Sequence, residues 1–538
     1  MGALTLKSLA FYLRNWDTEK VESVDPTDGF GSNTRIYISN NKIVQIEPEY
    51  NNYSFNTWLT DKSRQFFDGI FYPETIKNPG KQNKNNLTSK PWFQITKDIT
   101  RVLYLYNHCN YQKYKKYFFT IIFENVSIEI LSLLIVISQN YSFINLKRAE
   151  NFNINNDLES NFHLNLTTKN KIKLTNSSTC LLISTNPRYE GYLLNLSLRQ
   201  RFFKGNFKCF LIGSVINLTF PVVFIGSNTN SLKSISEGKN LICQSLRSSK
   251  NPLFIYNSEL TKRVDRSALE KIFKVLKYSN ILNQTWNNLN SFSSTLSETG
   301  IQSMSKILPV TKKDITNFSV LYWLNVNTNN ISNFKKLANF KLISLKLKTL
   351  KINRILIDQG LFESKNLNFC NRIFDSTKLN YFFSKSSMFY ENEEMFINTE
   401  GLIKRTTKNI FRKKTKNQWQ LLRKLLKHLR TNLNFLDFKN NNIISFDLKN
   451  KNRFKNFIYF QYQATQCLNN LNFFISVKSH LFNLTNNNLK NKQHKLVTTK
   501  LRYWLDDFYG GGKDNYSQES LIMNSCSKLL RGHSTNFF

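Results

Sequence analysis

Residues 180–205, CLLISTNPRYEGYLLNLSLRQRFFKG, decide the fold class. A continuous apolar run ends at Ser184-Thr185 and is followed by Asn186-Pro187-Arg188-Tyr189-Glu190. From Gly191 onward Leu and Phe recur at helical spacing. A short apolar run closed by turn residues reads as a strand covered on both faces, and the 3.6-residue period after it reads as a helix packed on that strand. The same alternation continues outward. NFKCFLIGS, FPVVFIGSN, KNPLFIYNSEL, FSVLYWLNVN (318–327) and FKLISLKL (340–347) are strand candidates. SISEGKNLICQSLRS and RSALEKIFKVLKYS read as helices, and IEILSLLIVIS (128–138) fits a buried helix without excluding a strand. The pattern predicts an α/β chain with largely parallel sheets.

Open α/β sheets bind ligands at the carboxyl ends of their strands, where helix N-termini offer free N–H groups. Asn186, Pro187, Arg188 and Glu190 occupy such a place. The turn has no glycine before Gly191, and Glu190 already supplies the negative charge that a helix start favours. A satisfied cap is therefore the preferred reading, with Arg188 reaching Glu190 or a neighbouring loop.

Upstream, residues 1–75 read as a small strand-rich domain. SNTRIYISNNKIVQIEPE (32–49) alternates and turns at Asn40-Asn41, as two paired strands would. WLTDKSRQFFDGIFYP (58–73) reads as a short helix and loop, and 76–93 as a linker or exposed loop rich in Pro, Gly and polar residues. Residues 94–245 and 246–420 read as two α/β domains, and 421–538 as a helical and irregular C-terminal region. The latter contains the amphipathic QWQLLRKLLKHLRTNL, a poorly patterned Asn-Lys-Phe-rich stretch (435–500), and a last helix with Asp514 or Ser517 near its start.

The formal charge of +39 over 538 residues raises nucleic acid or an anionic surface as a partner. Lys is spread along the chain, though, and the Lys/Asn/Phe skew fits AT-rich, often organellar, coding. Acidic protein neighbours would use the charge equally well. The basic run 403–420 is the best nucleic-acid candidate, yet it offers only Phe411 and Trp419 for stacking, so a partner-facing surface is preferred. The seven cysteines, at 109, 180, 209, 243, 370, 467 and 526, include no Cys-x-x-Cys, and six His are scattered. They predict small buried hydrophobes in a reducing compartment, not a cluster or zinc site. Asp61, Lys62, Arg64 and Asp68 read as a salt-linked surface knot, and Glu391, Glu393 and Glu394 as a solvated loop. The apolar runs are too short or too interrupted to span a bilayer, and the N-terminus lacks a signal-peptide layout. No catalytic, cofactor-binding or metal-ligating residue is assigned.

Four stretches in order carry a resemblance. They are WLTDKSRQFFDG (Trp58, Asp61, Lys62, Arg64, Asp68, Gly69), STNPRYE (Thr185, Asn186, Pro187, Arg188, Glu190), INTEG (Asn398, Thr399, Glu400, Gly401) and the C-terminal DDFYGGGKDNYSQESLIMNSCSKLL. With the N-terminal MGALTLKSLAFYLRNWDTEKVESVDPTDGFGSNTRIYI, they resemble the molybdopterin-oxidoreductase-like, C-terminal portion of the 75 kDa subunit of respiratory complex I. The resemblance implies a degenerate molybdopterin-oxidoreductase-like fold. It also implies a small first domain resembling a 4Fe–4S domain without its cysteines, and a non-catalytic scaffold role in the peripheral arm. The family's N-terminal Fe–S domains are expected on a separate polypeptide, as in a split gene. Fe–S clusters, FMN and ubiquinone are expected in partner subunits, which include that polypeptide and other peripheral-arm subunits, with no nucleic acid and no membrane span. The implied place is the matrix side of the mitochondrial inner membrane, with organellar coding. A molybdopterin-dependent oxidoreductase and an organellar RNA-binding protein are the alternatives.

Overall fold

In a computed structural model, the structure describes residues 13–50, 58–71, 80–83, 86–99, 119–140, 144–149, 174–249, 251–263, 265–278, 288–293, 295–304, 307–310, 320–326, 354–360, 379–385, 389–410, 417–423, 496–501 and 520–535, with Leu9, Trp286 and Ser517. The first unit is an antiparallel meander of β1 (Glu19–Val24), β2 (Asn33–Ser39) and β3 (Lys42–Pro48). Asn40 and Asn41 turn between β2 and β3 with φ of 50° and 61°, the left-handed pair that a two-residue hairpin needs. Ile36, Ile38, Ile43 and Ile46 pack on Phe66, Phe67 and Ile70, which follow the short helix α1 (Asp61–Gln65). Tyr390, Ile410 and Met523, from far downstream, join the same core.

The chain then forms the hairpin β4 (Gly80–Asn83) and β5 (Asn86–Ser89), strand β6 (Phe119–Phe123), helix α2 (Ile128–Asn140) and β7 (Ile144–Arg148). Next come β8 (Thr179–Ile183), α3 (Pro187–Glu190), α4 (Tyr192–Phe203), β9 (Lys208–Ile212), β10 (Val223–Gly226), α5 (Thr229–Ser236), α6 (Ile242–Ser248), β11 (Pro252–Asn257), α7 (Arg266–Tyr278), β12 (Leu289–Phe292) and α8 (Leu296–Met304). The remaining elements are β13 (Val320–Leu324), β14 (Arg354–Gly360), β15 (Leu379–Lys385), β16 (Glu394–Ile397), β17 (Ile403–Thr406) and α9 (Leu521–Thr535).

Two larger sheets result. A five-stranded sheet, ordered β10-β9-β8-β11-β12, is parallel throughout. A seven-stranded sheet, ordered β5-β4-β15-β14-β13-β6-β7, is parallel over its last five strands and antiparallel at the β4–β5 edge. The five-stranded unit is thus inserted between β7 and β13. In it Leu181, Ile183, Phe210 and Ile212 face one core with Leu232, Leu269 and Phe273, while Cys180, Leu182, Cys209 and Leu211 face the other with Leu194 and Leu198. Two-residue alternation between two apolar layers explains why the strands read as unbroken apolar runs. The predicted α/β class with parallel sheets behind a small antiparallel one holds.

The details differ in several places. Residues 80–83 and 86–89, inside the stretch expected to be a linker, form paired strands of which β4 joins β15, so tertiary pairing orders a polar segment. The division at 245/246 falls within the five-stranded sheet, because β6 pairs with β13 and β7 with β6, while β8 to β12 form a sheet of their own. SISEGKNLICQSLRS holds two helices. Gly238, at φ 74°, ends α5 with Gly238 N donating to Ile235 O and Lys239 N to Ser234 O, the paired bonds of a Schellman cap. IEILSLLIVIS belongs to helix α2. FKLISLKL and most of 435–500 lie outside the described residues, as do Cys109, Cys370 and Cys467. Cys180 and Cys209 are buried side by side across β8 and β9, and Cys243 and Cys526 are half-buried.

The last helix starts at Leu521, later than Asp514 or Ser517 suggested. Ser520 Oγ accepts from Met523 N at 3.0 Å, and Asp68 Oδ2 accepts from Ile522 N at 3.1 Å. Asp68 thus acts as a carboxylate at a helix N-terminus contributed from elsewhere in the chain. Asp68→Ala should cost about 1–2 kcal/mol, as a lost cap does. It should also speed hydrogen exchange in the first turn of α9, while unchanged exchange there would contradict the assignment.

Candidate functional site

The motif residues meet where three units touch: the meander, the C-terminal ends of the two parallel sheets, and the β16–β17 hairpin. The loop Asp25-Pro26-Thr27-Asp28-Gly29-Phe30-Gly31 is the plug between them. Phe30 inserts its ring beside Phe292, at 5.5 Å between centroids, in the core of the five-stranded unit. The Gly29 carbonyl accepts from Thr399 N at 2.9 Å and from Thr399 Oγ1 at 2.8 Å. The Phe30 carbonyl accepts from Asn398 Nδ2 at 2.9 Å. Asn398 Oδ1 in turn accepts from Glu400 N and Leu402 N, which with Gly401 at φ 78° shapes the hairpin tip. Asn398, Thr399 and Glu400 are all buried. The Asn-Thr-Glu-Gly segment is therefore a buried clamp on the first unit.

Carboxylates crowd this junction. Asp25 accepts from Thr27 N and Oγ1 and from the Ser63 hydroxyl of α1. Asp28 accepts from Phe30 N at 3.1 Å and Ser32 Oγ at 2.6 Å. Burial, then the neighbouring Asp25 charge, pushes the Asp28 carboxyl up to about 7, and burial also raises Asp25. Lys404 reaches Asn33 Oδ1 at 2.9 Å, and burial lowers its ammonium pKa against the pull of Glu400 and Asp28. On the other side of the hairpin, both Glu129 carboxylate oxygens accept from Met395 N, at 3.0 and 3.1 Å. Burial raises Glu129 to about 7, and burial together with the nearby Glu129 raises Glu394 to about 8. The solvated-loop expectation for Glu391, Glu393 and Glu394 is thus corrected. Glu391 is 2% exposed, Glu394 is half-buried in the hairpin, and Glu393 has the more open side chain, pairing with Arg405 at 2.7 Å. Hairpin formation, which local composition does not reveal, buries them.

At the strand end, Ser184 takes φ 55° and its N–H donates to Ile212 O. Glu190 Oε2 accepts from Asn186 N at 3.1 Å and from Asn257 Nδ2 at 3.0 Å, closing the turn on itself and tying it to β11. Arg188 does not pair with Glu190. Its Nη1 donates to Asn217 O at 3.0 Å, in the loop before β10. A Cβ on Gly191 would lie 2.6 Å from Phe292 and 3.0 Å from Phe30, so aromatic rings fill the space ahead of the helix. Ser258 Oγ, beside Asn257, lies 3.0 Å from Glu298 Oε2 on α8. Glu298, Glu124 and Arg148 line a cavity of about 20 Å³ between the sheet ends, room for one water. Small-molecule sites run from about 300 Å³ upward. This cavity does not fit a pterin or a nucleotide, and at Gly191 the rings of Phe292 and Phe30 take the place such a group would need.

Asp61, Lys62, Arg64 and Asp68 do not act as one surface knot. Lys62 is buried near Asp25, Asp68 caps α9, and the Trp58 ring lies tilted beside Tyr192, 6.3 Å between centroids. Ile403–Thr406 of the basic run is β17, while 411–416 lies outside the described residues. Trp419 packs on the seven-stranded core. Among the described residues no three His, Cys, Asp or Glu side chains converge as metal ligands. None of the described helices is long and apolar enough to cross a membrane. Sequence reading missed Asp25, Asp28, Gly29, Phe30, Glu129 and Asn257. Two Asp and two Gly within seven residues at 25–31 were the available signal.

Arg188→Ala should leave the fold intact, cost about 1 kcal/mol for the lost bond to Asn217 O, and raise exchange at 215–219. A loss well above that range would point to a wider role.

Comparisons agree with this geometry. Residues 104–365 match the family described as molybdopterin oxidoreductase. Residues 18–68 match the 4Fe-4S domain of NADH-ubiquinone oxidoreductase NDSU1/NuoG-like proteins. The stretch 18–68 contains no Cys and no His, and its interior is the Ile–Phe core of the meander, so it does not fit a cluster. The chain is similar to the NADH-ubiquinone oxidoreductase 75 kDa subunit of Reclinomonas americana, 29% identical over 309 residues, covering 56% of this chain and 44% of that protein. It is 25% identical over 323 residues to the mitochondrial 78 kDa subunit of Neurospora crassa, covering 57% and 41% respectively. The matched stretch spans about two-fifths of the length of these relatives. A chain of the formyltransferase/hydrolase complex of Methylorubrum extorquens superposes with a TM-score of 0.40 at 8% identity over 65% of this chain and 98% of that one, too distant to carry an argument. The chain is thus homologous to complex I 75 kDa-type subunits through a molybdopterin-type region and a 4Fe–4S-type domain.

Proposed function

We propose, from this homology, that the chain is a non-catalytic structural part of the peripheral arm of respiratory NADH-ubiquinone oxidoreductase. It supports a separate polypeptide that carries the iron–sulfur domains of the 75 kDa subunit. Fe–S clusters, FMN and ubiquinone belong to the partner subunits, and the chain lies with them on the matrix side of the mitochondrial inner membrane, encoded in the organelle. The observation that carries the reading is the first unit. It keeps the 4Fe–4S-domain match yet offers neither Cys nor His, and apolar side chains fill it. Such a unit cannot ligate a cluster, but it can exclude water and set the surroundings of clusters next to it. The filled strand end at Gly191 supports the same view for the pterin region.

Native purification of the intact assembly tests this. The chain should co-migrate with an iron–sulfur polypeptide and with NADH-oxidising activity, and stay associated at high salt. Stoichiometric molybdenum or tungsten with pterin in the isolated chain would support an oxidoreductase instead. Tight RNA binding with a steep salt slope would support the nucleic-acid alternative. Migration apart from any iron–sulfur partner would end the scaffold reading.

A further inference from the structure

We propose that the open edge of β10 receives an extended, acidic segment of a neighbouring polypeptide as a sixth strand. Among the described residues β10 is the terminal strand of the five-stranded sheet and pairs on one side only, with β9. Its residues Val223-Phe224-Ile225-Gly226 include no charge and no proline, so its edge protection is limited to its four-residue length and an irregularity in register between Phe224 and Gly226. The flank is apolar and uncovered. Val215 is 75% exposed, Val223 55% and Phe224 43%, and Pro221 is exposed beside them. An uncovered apolar edge of this kind marks an interaction surface.

The edge is also held ready. Arg188 Nη1 and Asn195 Nδ2 donate to the carbonyls of Asn217 and Leu218, and Phe220 packs 5.8 Å from Phe202 of α4. A pinned loop leaves less entropy to lose on binding. Just past Gly226 the same edge already accepts an antiparallel neighbour. Leu501 N donates to Ser227 O at 2.9 Å and Thr229 N to Thr499 O at 3.2 Å, around the bridge Asn228–Lys500. Antiparallel addition is therefore sterically compatible with this side of the sheet.

Charge selects the partner. Between Glu190 and Glu237 there is no carboxylate, while Arg199, Arg201, Lys204, Lys208 and Lys233 fall in that stretch. Lys204 and Lys208 are exposed, and the register sets Val223 beside Phe210, two residues along β9 from Lys208. Lys233 is paired with Glu237, which leaves the exposed Lys204 and Lys208 beside the backbone edge to favour an acidic chain in extended form. Nucleic acid would use the cations but not the edge.

The inference deepens the scaffold reading and takes the partner from that assembly; the chemistry of the surface is independent of which assembly it is. Zero-length carbodiimide coupling joins lysine to a contacting carboxylate, and it is applied to the native assembly. Lys204 and Lys208 should couple to one acidic segment of another polypeptide. The amides of 223–226 should exchange at least tenfold slower than in the isolated chain. Val223→Lys with Phe224→Lys, both at exposed positions, should abolish the coupling without changing the thermal transition of the isolated chain. Four outcomes would overturn the proposal. One is coupling only to carboxylates of this chain, residues 502–516 included. The others are coupling to a second copy of it, labelling blocked until nuclease treatment, and unchanged exchange at 223–226. An assembly without an iron–sulfur polypeptide would sink the scaffold reading while leaving this test readable.

Discussion

Gly29→Ala should destabilise the chain by about 3 kcal/mol or more, at the top of the range for overpacking. The added Cβ would sit 1.9 Å from the Ser293 carbonyl oxygen and 2.9 Å from its carbon, with Thr399 Oγ1 at 3.0 Å. Two of these are backbone atoms with no rotamer to escape through. Relief requires the loop 25–31 to lift away from β12 and the 398–402 tip. That movement would break both Thr399 bonds to Gly29 O and withdraw Phe30 from its place beside Phe292. Equilibrium denaturation of the full chain, with limited proteolysis, should show the first unit released early. Gly205→Ala is the control. Gly205 has φ 82° but nothing within 4 Å of its would-be Cβ, so only backbone strain, about 1 kcal/mol, applies. Equal losses at the two sites would refute the packing argument.

Stability should fall as pH rises from about 5 to about 8.5. Glu129 and Asp28 are raised to about 7 and Glu394 to about 8, each first by burial. The folded chain therefore holds protons that the unfolded chain has already released above its ordinary carboxylate pKa. Where the folded state binds more protons, stability declines with pH, and the decline is complete only above the raised values. The groups facing this pair are known. The Met395 N–H, Ser127 and Arg405 lower Glu129, Asn392 lowers Glu394, and the Glu129 charge raises Glu394. Glu394→Gln removes one ionisation and keeps an acceptor for Asn392. It should leave stability unchanged near pH 5 and raise it by on the order of 2–3 kcal/mol near pH 8.5. A variant no more stable than the parent at the higher pH would show that these carboxyls ionise freely in the fold.

Both predictions concern residues whose importance lies in what they touch. Cys180–Ile183 reads as a doubly buried strand because every side chain in it is apolar, and the Leu spacing after Gly191 reads as a helix because its period is 3.6. These are local signals, and they survive into the structure. The Asn40-Asn41 turn is legible for the same reason, since few residues accept a left-handed pair of φ values. Glu391 and Glu394 mislead because three glutamates in four residues look solvated until a hairpin encloses them. The 76–93 stretch misleads because its polar composition says nothing of β15, some 300 residues away. For Arg188 the two expected partners were a neighbour in sequence and an unspecified loop, and only the folded chain shows that the loop wins.

The amino-acid order thus determined the α/β class, the parallel strands, the cysteine-free first unit and the motifs that tie the chain to its homologues. Those properties are written in period, composition and short-range backbone preference. Tertiary structure alone decided that the five-stranded unit is inserted into the seven-stranded one, that the Asn-Thr-Glu-Gly tip clamps Gly29, and that the strand end is filled by Phe30 and Phe292. Each depends on contacts between residues a hundred or more positions apart, and their energy comes from burial and geometry that no local window contains.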